Sequence, residues 1–309
     1  MNKSNKEITD AILAQTKDGN IPWVRPWTGG IAGADPRRMA VSHSTGRAYS
    51  FLNQMLVGGV GEYATFKQIK DCGGRVKKGA KAKHVYFWSS VSVKAKTRDG
   101  SPVLDEDGNE TYRRVWYLKP YCVFDVQKDA EGVDPVRLNK ILEAEKAGES
   151  GKDEKIDKPE DVMRNYLKRE GIGFEEYGNE AFYRPSTDSI TVPPRGKFKG
   201  IAAFYGTVFH EIGHSTGAEK RLARKMGGGF GSYDYGKEEL VAEMTSAFIC
   251  ATLGLPQETR QNAAYIKSWM KAISEDENMV VYAASKAEKA VEFILTGKKP
   301  ERKAEEIAA

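Results

Sequence analysis

Residues 201–217 read IAAFYGTVFHEIGHSTG and residues 237–243 read KEELVAE, and these two stretches decide the second half of the fold. Apolar residues recur at helical spacing through both, which predicts a helix in each. In the first helix His210 and His214 are four residues apart, a rotation of about 400°. Both imidazoles therefore leave the same face of the helix and can hold one metal ion.

The carboxylates around this histidine pair complete a hydrolytic metal site. A tetrahedral catalytic zinc takes three protein ligands and leaves a fourth position for water. Glu211 falls on the flank of the ion, where a carboxylate can take a proton from that water. Glu239 and Glu243 share a face of the second helix, so one can be the third ligand while the other holds a liganding histidine. We expect zinc, with manganese as the alternative ion. The opposing interpretation is a pair of core histidines beside a solvated helix face.

Two tyrosines precede the second helix within a glycine-rich stretch, residues 227–236. Either Tyr233 or Tyr235 can stabilise a tetrahedral oxyanion at such a site. Packing of the loop is the alternative role for each tyrosine. We retain Tyr235 as the catalytic candidate.

Positive charge is concentrated in the first half of the chain. The 309 residues carry 48 Lys+Arg and 43 Asp+Glu, a net charge of +5, and residues 1–150 alone carry +6. Between Pro22 and Arg98 there are 14 basic and three acidic side chains, interleaved with aromatic residues. Phosphates attract such a segment, and unpaired bases stack on aromatic rings. Because no motif for reading a duplex is visible, the segment predicts a single-stranded DNA partner, with double-stranded DNA left open.

The candidate DNA contacts combine the basic and aromatic residues of this segment. They are Trp23, Arg25, Trp27, Arg47, Tyr49, Lys67, Arg75, Lys77, Lys78, Lys81 and Lys83. The densest group of lysines falls in the stretch 73–83, whose glycines let a backbone approach the strand closely. The alternative is that the lysines form a solvated face and the aromatic residues a β core.

Several classes of protein are excluded by the composition. The first ten residues, MNKSNKEITD, lack the apolar stretch of a secretory signal. No apolar run approaches the roughly 18 residues of a membrane-spanning helix. Cys72, Cys122 and Cys250 are scattered, which predicts free and mostly buried thiols in a reducing compartment. We therefore expect a cytoplasmic protein with no membrane partner.

The patterns together predict an α+β fold of two domains. Residues 1–145 form an α+β nucleic-acid-binding domain with a long β-hairpin. Residues 146–160 are charged and nearly free of large apolar side chains, which is typical of a linker. Residues 161–309 form a mainly helical domain with a small β-sheet, and each domain is long enough to bury a core of its own.

The predicted elements follow from periodicity and from glycine and proline positions. The predicted helices are Glu7–Lys17, Tyr49–Val57, Tyr63–Gly73, Pro159–Arg169, Ile201–Thr216, Lys237–Leu253, Gln257–Ser274 and Val280–Leu295. A second hairpin is expected from Ala181–Pro185 and Ser189–Val192.

Taken motif by motif, the sequence resembles the ArdC-type antirestriction proteins, a family carried by conjugative plasmids and related mobile elements. The motifs of the first half are Ile21–Trp27, Thr45–Tyr49 with Asn53, Thr65–Gln68, Gly73–Gly79 and Val123–Val126. Those of the second half are Ala181–Tyr183, Asp188–Pro193, His210–His214 with Thr216–Gly217, Arg221–Leu222 and Glu238–Glu243. One departure is Val41-Ser-His43, where the family typically has Asn-Pro; it leaves His43 as a local contact without an assigned role.

The resemblance implies an N-terminal domain that binds single-stranded DNA and a zincin-like metallopeptidase domain. The spacing from His210–His214 to Glu239-Leu-Val-Ala-Glu243 is similar to that of gluzincins. By this resemblance Glu239 is the third ligand and Glu243 the carboxylate that holds a histidine. In zincins a strand before the metal helix, here Asp188–Val192, often binds an extended peptide.

We therefore expect an antirestriction protein that binds single-stranded DNA, carries a gluzincin-like metallopeptidase site and protects incoming DNA from host restriction. Its protein substrate is unidentified, and part of a host restriction system is one candidate. The main alternative is a DNA-binding protein whose metal domain is structural or a docking surface without peptidase turnover. A metal-dependent nuclease is less favoured, because a His-Glu-x-x-His motif, here His210–His214, followed by a helix with glutamates is typical of a single-zinc site.

Overall fold

The structure, a computed structural model, describes residues 3–17, 21–24, 37–146, 158–225, 233–256, 269–270 and 272–299. The helices are α1 (Lys3–Lys17), α2 (Phe51–Val57), α3 (Phe66–Asp71), α4 (Val126–Asp129), α5 (Val136–Lys146), α6 (Pro159–Glu170), α7 (Ile201–Ser215), α8 (Tyr233–Thr252) and α9 (Met279–Thr296). The strands are β1 (Ala40–Ser42), β2 (Gly61–Thr65), β3 (Arg75–Val76), β4 (Lys83–Lys94), β5 (Tyr112–Asp125), β6 (Ala130–Glu131), β7 (Gly173–Glu176), β8 (Phe182–Arg184) and β9 (Ser189–Val192). The mixture confirms the predicted α+β class.

A four-stranded sheet in the order β1-β2-β5-β4 organises the first half. β1 and β2 are parallel, and the other neighbours are antiparallel. β4 and β5 form the expected long hairpin, paired from Lys83 with Val123 to Lys94 with Tyr112. The side-chain amide of Asn53, on α2, covers part of the free edge of β4 by bonding both backbone groups of Tyr86.

The predicted helix over Tyr63–Gly73 is wrong at its start. Residues 61–65 form β2, in which Tyr63 and Ala64 are buried and paired with β5. The helix begins only at Phe66, where Thr65 and Gln68 form a capping box. Long-range strand pairing thus overrides the local helical pattern.

The second half packs helices around a three-stranded sheet in the order β7-β9-β8. The predicted hairpin is confirmed as β8 and β9, whereas the helix predicted over Gln257–Ser274 lies mostly outside the described residues. β9 also pairs in parallel with β7. The expectation that Asp188–Val192 binds an extended peptide is therefore wrong, because strand addition needs a free edge.

One hydrophobic core joins the two halves, in addition to clusters that lie wholly within the first half and wholly within the second. Its buried members from the first half include Ile8, Ile12, Trp23, Phe51, Met55, Tyr86 and Leu118, and those from the second include Leu240, Val241, Met244, Val280 and Ala284. Phe51 of α2 stacks on Phe248 of α8, with ring centroids 4.4 Å apart. Helix α8 therefore faces the N-terminal half on one side and the histidines of α7 on another.

The linker expected over residues 146–160 is described only at its ends. α5 continues to Lys146 and α6 begins at Pro159, while residues 147–157 lie outside the described residues. Of the cysteines, Cys250 is buried but Cys72 and Cys122 are exposed, so the prediction of mostly buried thiols is wrong. Within the described residues, no helix combines the length and apolarity needed to cross a bilayer.

Candidate metal centre and nucleic-acid interface

Helices α7 and α8 bring the two histidines and Glu239 together. The Nε2 atoms of His210 and His214 are 3.2 Å apart. Each Nε2 lies 3.5 Å from one carboxylate oxygen of Glu239. One potential ligand atom from each of the three side chains lies within 4.8 Å of the others. The helical spacing of the histidines thus produces the convergent pair that it predicts.

The close approach of the two helices depends on the glycine within the histidine motif. A Cβ at Gly213 would lie 3.1 Å from the Cα of Ala242 and 3.2 Å from its carbonyl oxygen. Such contacts are shorter than ordinary van der Waals separations. Any side chain at Gly213 would therefore push α8, and Glu239 with it, away from the histidines.

The far nitrogen of His210 is held by Glu243, as the resemblance implied. His210 Nδ1 donates to Glu243 Oε2 at 3.1 Å. This bond leaves Nε2 directed toward His214 and Glu239. Second carboxylates of this kind orient a liganding imidazole and raise its basicity.

His214 has an equivalent partner that the sequence reasoning missed. Its Nδ1 lies 3.5 Å from Glu238 Oε1. Arg224 binds both oxygens of Glu238, at 2.9 and 2.6 Å, and also donates to the Gly213 carbonyl and to Thr216 Oγ1. Glu238 is thereby engaged by a cation, while the neighbouring Glu239 faces both histidines. Adjacent glutamates on a buried helix are a signal that a counter-cation is needed, but the pattern does not say which of many basic residues supplies it.

A strained turn supports this arrangement at the end of α7. Ala223 has a φ of 50° and Asp188 a φ of 47°, conformations unusual for residues other than glycine. Arg221 is buried and donates to Asp188 and to the carbonyl of Ser215. Strained residues persist where surrounding contacts over-determine them. Here these contacts anchor the chain between the metal helix and Arg224.

The electrostatic surroundings of the centre favour positive charge. Burial alone would lower the pKa of His210, but hydrogen bonds to Glu239 and Glu243 raise it to about 10. Burial would raise the pKa of Glu239, yet the His210 hydrogen bond, both imidazoles and the Tyr235 hydroxyl lower it to about 2. Two imidazole nitrogens and one carboxylate, converging in an acidic setting, are a donor set that fits a divalent cation.

The two candidate catalytic residues both lie beside this set. Glu211 is buried on α7 between the histidines in sequence, and its charge acts on His210. Tyr235 is half-buried one turn before Glu239 on α8 and hydrogen-bonds that carboxylate. Tyr233, the other tyrosine of this stretch, instead bonds Asp276. The structure thus brings Tyr235, rather than Tyr233, to the ligands.

The predicted DNA contacts are dispersed, and two of them are wrong as base-stacking residues. Trp23 is 1% exposed and packs edge-on against Trp269, with ring centroids 5.9 Å apart. Tyr49 is buried between Tyr63 and Phe87. Neither ring offers a face to a base, because long-range packing has covered both.

The remaining predicted DNA contacts differ in whether their charged groups already have partners within the protein and in whether they are exposed. Arg25 and Trp27 lie outside the described residues. Arg75 pairs with Glu131 at 2.7 Å, and the Lys77 ammonium is 2.7 Å from the Lys128 carbonyl. The exposed basic residues of the set are Arg47, Lys67, Arg75, Lys78, Lys81 and Lys83.

His43, at the point of departure from the family motif, makes a structural contact. Its Nδ1 lies 2.9 Å from Glu62 Oε2. The other oxygen of Glu62 accepts from the backbone N–H of Leu138 at 2.7 Å. The buried carboxylate thus ties β1, β2 and α5 together.

Comparison with known proteins assigns each half of the chain to a domain family. Residues 2–124 match the N-terminal domain of anti-restriction factor ArdC, and residues 161–286 match a zincin-like metallopeptidase. The chain is 31% identical over 301 residues to the uncharacterized protein y4eC of Sinorhizobium fredii (strain NBRC 101917 / NGR234), covering 94% of this chain and 90% of that protein.

Two Escherichia coli proteins named DNA primase TraC are each 33% identical over 297 residues. The alignments cover 94% and 93% of this chain but only 27% and 19% of the two primases. The chain thus spans about a quarter or less of the length of these relatives.

Two crystal structures of the antirestriction ArdC protein from plasmid R388 are similar to this fold. The metal-free one has a TM-score of 0.68 at 27% identity, covering 94% of this chain and 96% of that chain. The Mn(II)-bound one has a TM-score of 0.65 at 26% identity, covering 97% and 99%. With both domain families matched in order and the whole architecture shared, this chain belongs to the ArdC-type antirestriction family.

Proposed function

We propose that this protein protects incoming DNA from restriction, binds single-stranded DNA through its N-terminal half and hydrolyses peptide bonds at a gluzincin-like metal centre. His210, His214 and Glu239 hold the ion, which is zinc, or manganese as the alternative. Glu211 is the general base, and Tyr235 stabilises the oxyanion. The protein substrate is unidentified, and a component of a host restriction system is one candidate.

The convergence of His210, His214 and Glu239 is the observation that most directly supports the proposed peptidase activity. A divalent cation at this point supplies Lewis-acid polarisation of a peptide carbonyl and lowers the pKa of water. Glu243 and Glu238 keep the two imidazoles directed toward a common centre, so little reorganisation is needed on binding. The Mn(II)-bound state of the R388 protein supports a divalent cation in this fold.

This chain's own residues account for the proton transfers and the charge that hydrolysis requires. Glu211 takes a proton from attacking water and returns it to the leaving amine. The Tyr235 hydroxyl, already beside Glu239, turns to donate to the developing oxyanion. Burial of the ligands excludes bulk water and strengthens both interactions.

The DNA-binding part is supported by charge and by family. The stretch Pro22–Arg98 has 11 more basic than acidic residues, and its domain matches that of an anti-restriction factor. The chain as a whole carries +5 rather than the strong negative charge of a DNA mimic. Direct binding to phosphates is therefore favoured over mimicry.

Replacing Glu211 with glutamine tests the catalytic proposal, because the amide keeps the shape of the side chain but cannot accept a proton. We expect wild-type metal content and a loss of roughly 10²–10⁴-fold in cleavage of fluorescently labelled casein. Proteomic comparison of cells expressing wild type and Glu211→Gln should identify natural substrates. A Glu211→Gln protein that still cleaves casein at the wild-type rate would contradict the assignment.

The same variant decides between the proposal and a metal domain without turnover. If peptide hydrolysis serves antirestriction, Glu211→Gln should fail to protect plasmid DNA during conjugation into a restricting host. Full protection by this variant would instead favour a structural or docking role for the metal domain.

A further inference from the structure

The β4–β5 hairpin carries the exposed aromatic rings that Trp23 and Tyr49 do not provide. Phe87 is 46% exposed and Tyr121 is 37% exposed. Directly opposed residues of an antiparallel pair point to the same side, and Phe87 opposes Lys119 while Tyr121 opposes Val85. Phe87, Lys119 and Tyr121 therefore share one side, which we call the Phe87 face. Its other outward residues are Lys83, Val91 and Arg113.

Charge along this hairpin favours an anionic partner on the paired strands. β4 and β5 contain five basic side chains and a single acidic one, Asp125, which is buried. The tip, residues 95–111, holds two basic and five acidic side chains instead. A phosphate backbone is therefore attracted to the strands and repelled by the tip.

The rings and one cation of the Phe87 face form a single local group. The Phe87 and Tyr121 rings meet edge to face, with centroids 5.7 Å apart. The ammonium of Lys119 lies 5.4 Å from the Tyr121 ring centroid. The buried Tyr49 ring supports Phe87 from beneath, at 6.2 Å. Two exposed rings on a fixed support with a cation beside them combine stacking with charge neutralisation, as single strands require.

We infer that the Phe87 face is the surface on which single-stranded DNA stacks, with bases on Phe87 and Tyr121 and phosphates on Lys119 and Lys83. The inference rests on the proposed binding of single-stranded DNA and assigns its location. Duplex DNA is disfavoured here because its base faces are already stacked, whereas unpaired bases present a face to any aromatic ring. The glycine-rich segment 73–83 becomes a flanking contact that leads into β4 at Lys83.

The salt dependence of DNA binding distinguishes base stacking from phosphate contacts. Full-length protein is titrated with a fluorescent 20-nucleotide oligothymidylate at several salt concentrations. Phe87→Ala should weaken binding by roughly 5- to 100-fold per lost stacking contact while leaving the slope of log K against log salt unchanged. Lys119→Ala should weaken binding and reduce the magnitude of that slope by about 0.7, the value for one phosphate contact on a single strand.

Two further variants control for shape and stability. Val91→Ala changes an equally exposed residue on the same face, 49% exposed, and should leave affinity unchanged because Val91 has no aromatic ring. Phe87→Trp restores an aromatic surface and should recover wild-type affinity. Metal content and thermal unfolding of each protein show whether the fold is retained.

The outcomes distinguish this inference from the proposed function. If wild-type protein does not bind the oligonucleotide, the proposed DNA-binding function fails. If wild type binds but Phe87→Ala and Tyr121→Ala bind equally well, only the location on the Phe87 face is overturned. Loss of binding in Val91→Ala as well would also overturn it, since stacking would then not be the cause.

Discussion

The metal centre and the β4–β5 hairpin are built in opposite ways. At the metal centre His210, His214, Glu239 and Glu243 each have side chains at most 16% exposed, and each contacts another member of the group. On the hairpin Phe87 and Tyr121 are far more exposed, and the ammonium of Lys119 lies over an aromatic ring. The first region depends on partners that hold each atom in place. The hairpin surface depends on exposed charge and on the faces of aromatic rings. Each residue therefore contributes less to binding, and salt weakens DNA binding overall.

The two regions are nevertheless parts of one folded unit. Tyr86 and Leu118 of the hairpin belong to the same hydrophobic cluster as Leu240, Val241 and Met244 of α8. Glu239 and Glu243 extend from that helix toward the histidines. A change that reaches this shared core should therefore disturb both regions, whereas a change to one surface should leave the other intact.

Loss of a metal ligand should give the largest difference in effect between the metal centre and the hairpin. We expect Glu239→Ala to lose the ion, because one of three converging donors is gone. Glu243→Ala should retain it with affinity lowered by about 10- to 100-fold, as is typical for a carboxylate that orients a ligand. Titration with zinc and with manganese measures both, and single-stranded DNA affinity should be unchanged in each variant. If Glu243→Ala loses the ion and Glu239→Ala keeps it, the two roles are reversed.

Removal of the Arg224 cation should damage the metal half by leaving a buried carboxylate unpaired. We expect Arg224→Met to lower the free energy of unfolding by about 3–5 kcal/mol, measured by urea denaturation. Replacing both partners, as in Arg224→Met with Glu238→Leu, should restore most of that stability because no buried charge is left. If the double variant is as unstable as Arg224→Met, the loss comes from packing and not from the unpaired Glu238.

Shortening a buried side chain in the core shared by the two halves should affect both regions only by lowering the stability of the fold. Trp23→Ala should lower the free energy of unfolding by about 3 kcal/mol, the lower end for a buried tryptophan. The lower end applies because the Trp23 indole N–H is buried without a hydrogen-bond partner among the described residues. Folded Trp23→Ala protein should bind single-stranded DNA as wild type does, in contrast to Phe87→Ala. A selective loss of DNA affinity at unchanged stability would restore Trp23 as a DNA contact.

Acid should destabilise the metal half by protonating Asp188. Burial alone would raise the pKa of Asp188, but hydrogen bonds from Arg221, Lys220 and Tyr183 hold it well below its usual range. The folded pKa is thus depressed, so the stabilisation is complete above the unfolded value of about 4 and declines as pH falls below it. The advantage of wild type over Asp188→Asn should be on the order of 1–2 kcal/mol at pH 7, allowing for partial exposure, and should shrink toward pH 3. Urea unfolding at a series of pH values measures it, and a pH-independent difference would contradict the assignment.

Local patterns in the sequence were sufficient to predict much of this protein's structure. The four-residue spacing of His210 and His214 follows from helical geometry, which needs no distant partner. The hairpin of β4 and β5 follows from its β-favouring residues and the turn-rich stretch between them. Glu239 and Glu243, four residues apart on one helix, had to share a face, so their convergence with the histidines could also be expected.

Tertiary structure alone decided which residues of similar type take which role. Nothing local distinguishes the buried Trp23 from the exposed Phe87, because burial of an aromatic ring depends on Trp269 and on the rest of the shared core. Glu238 stands next to Glu239 in the sequence, yet Arg224 binds one and the histidines face the other. Periodicity specifies the face of a helix or strand, whereas the partner that meets that face comes from a distant part of the chain and is set only by packing.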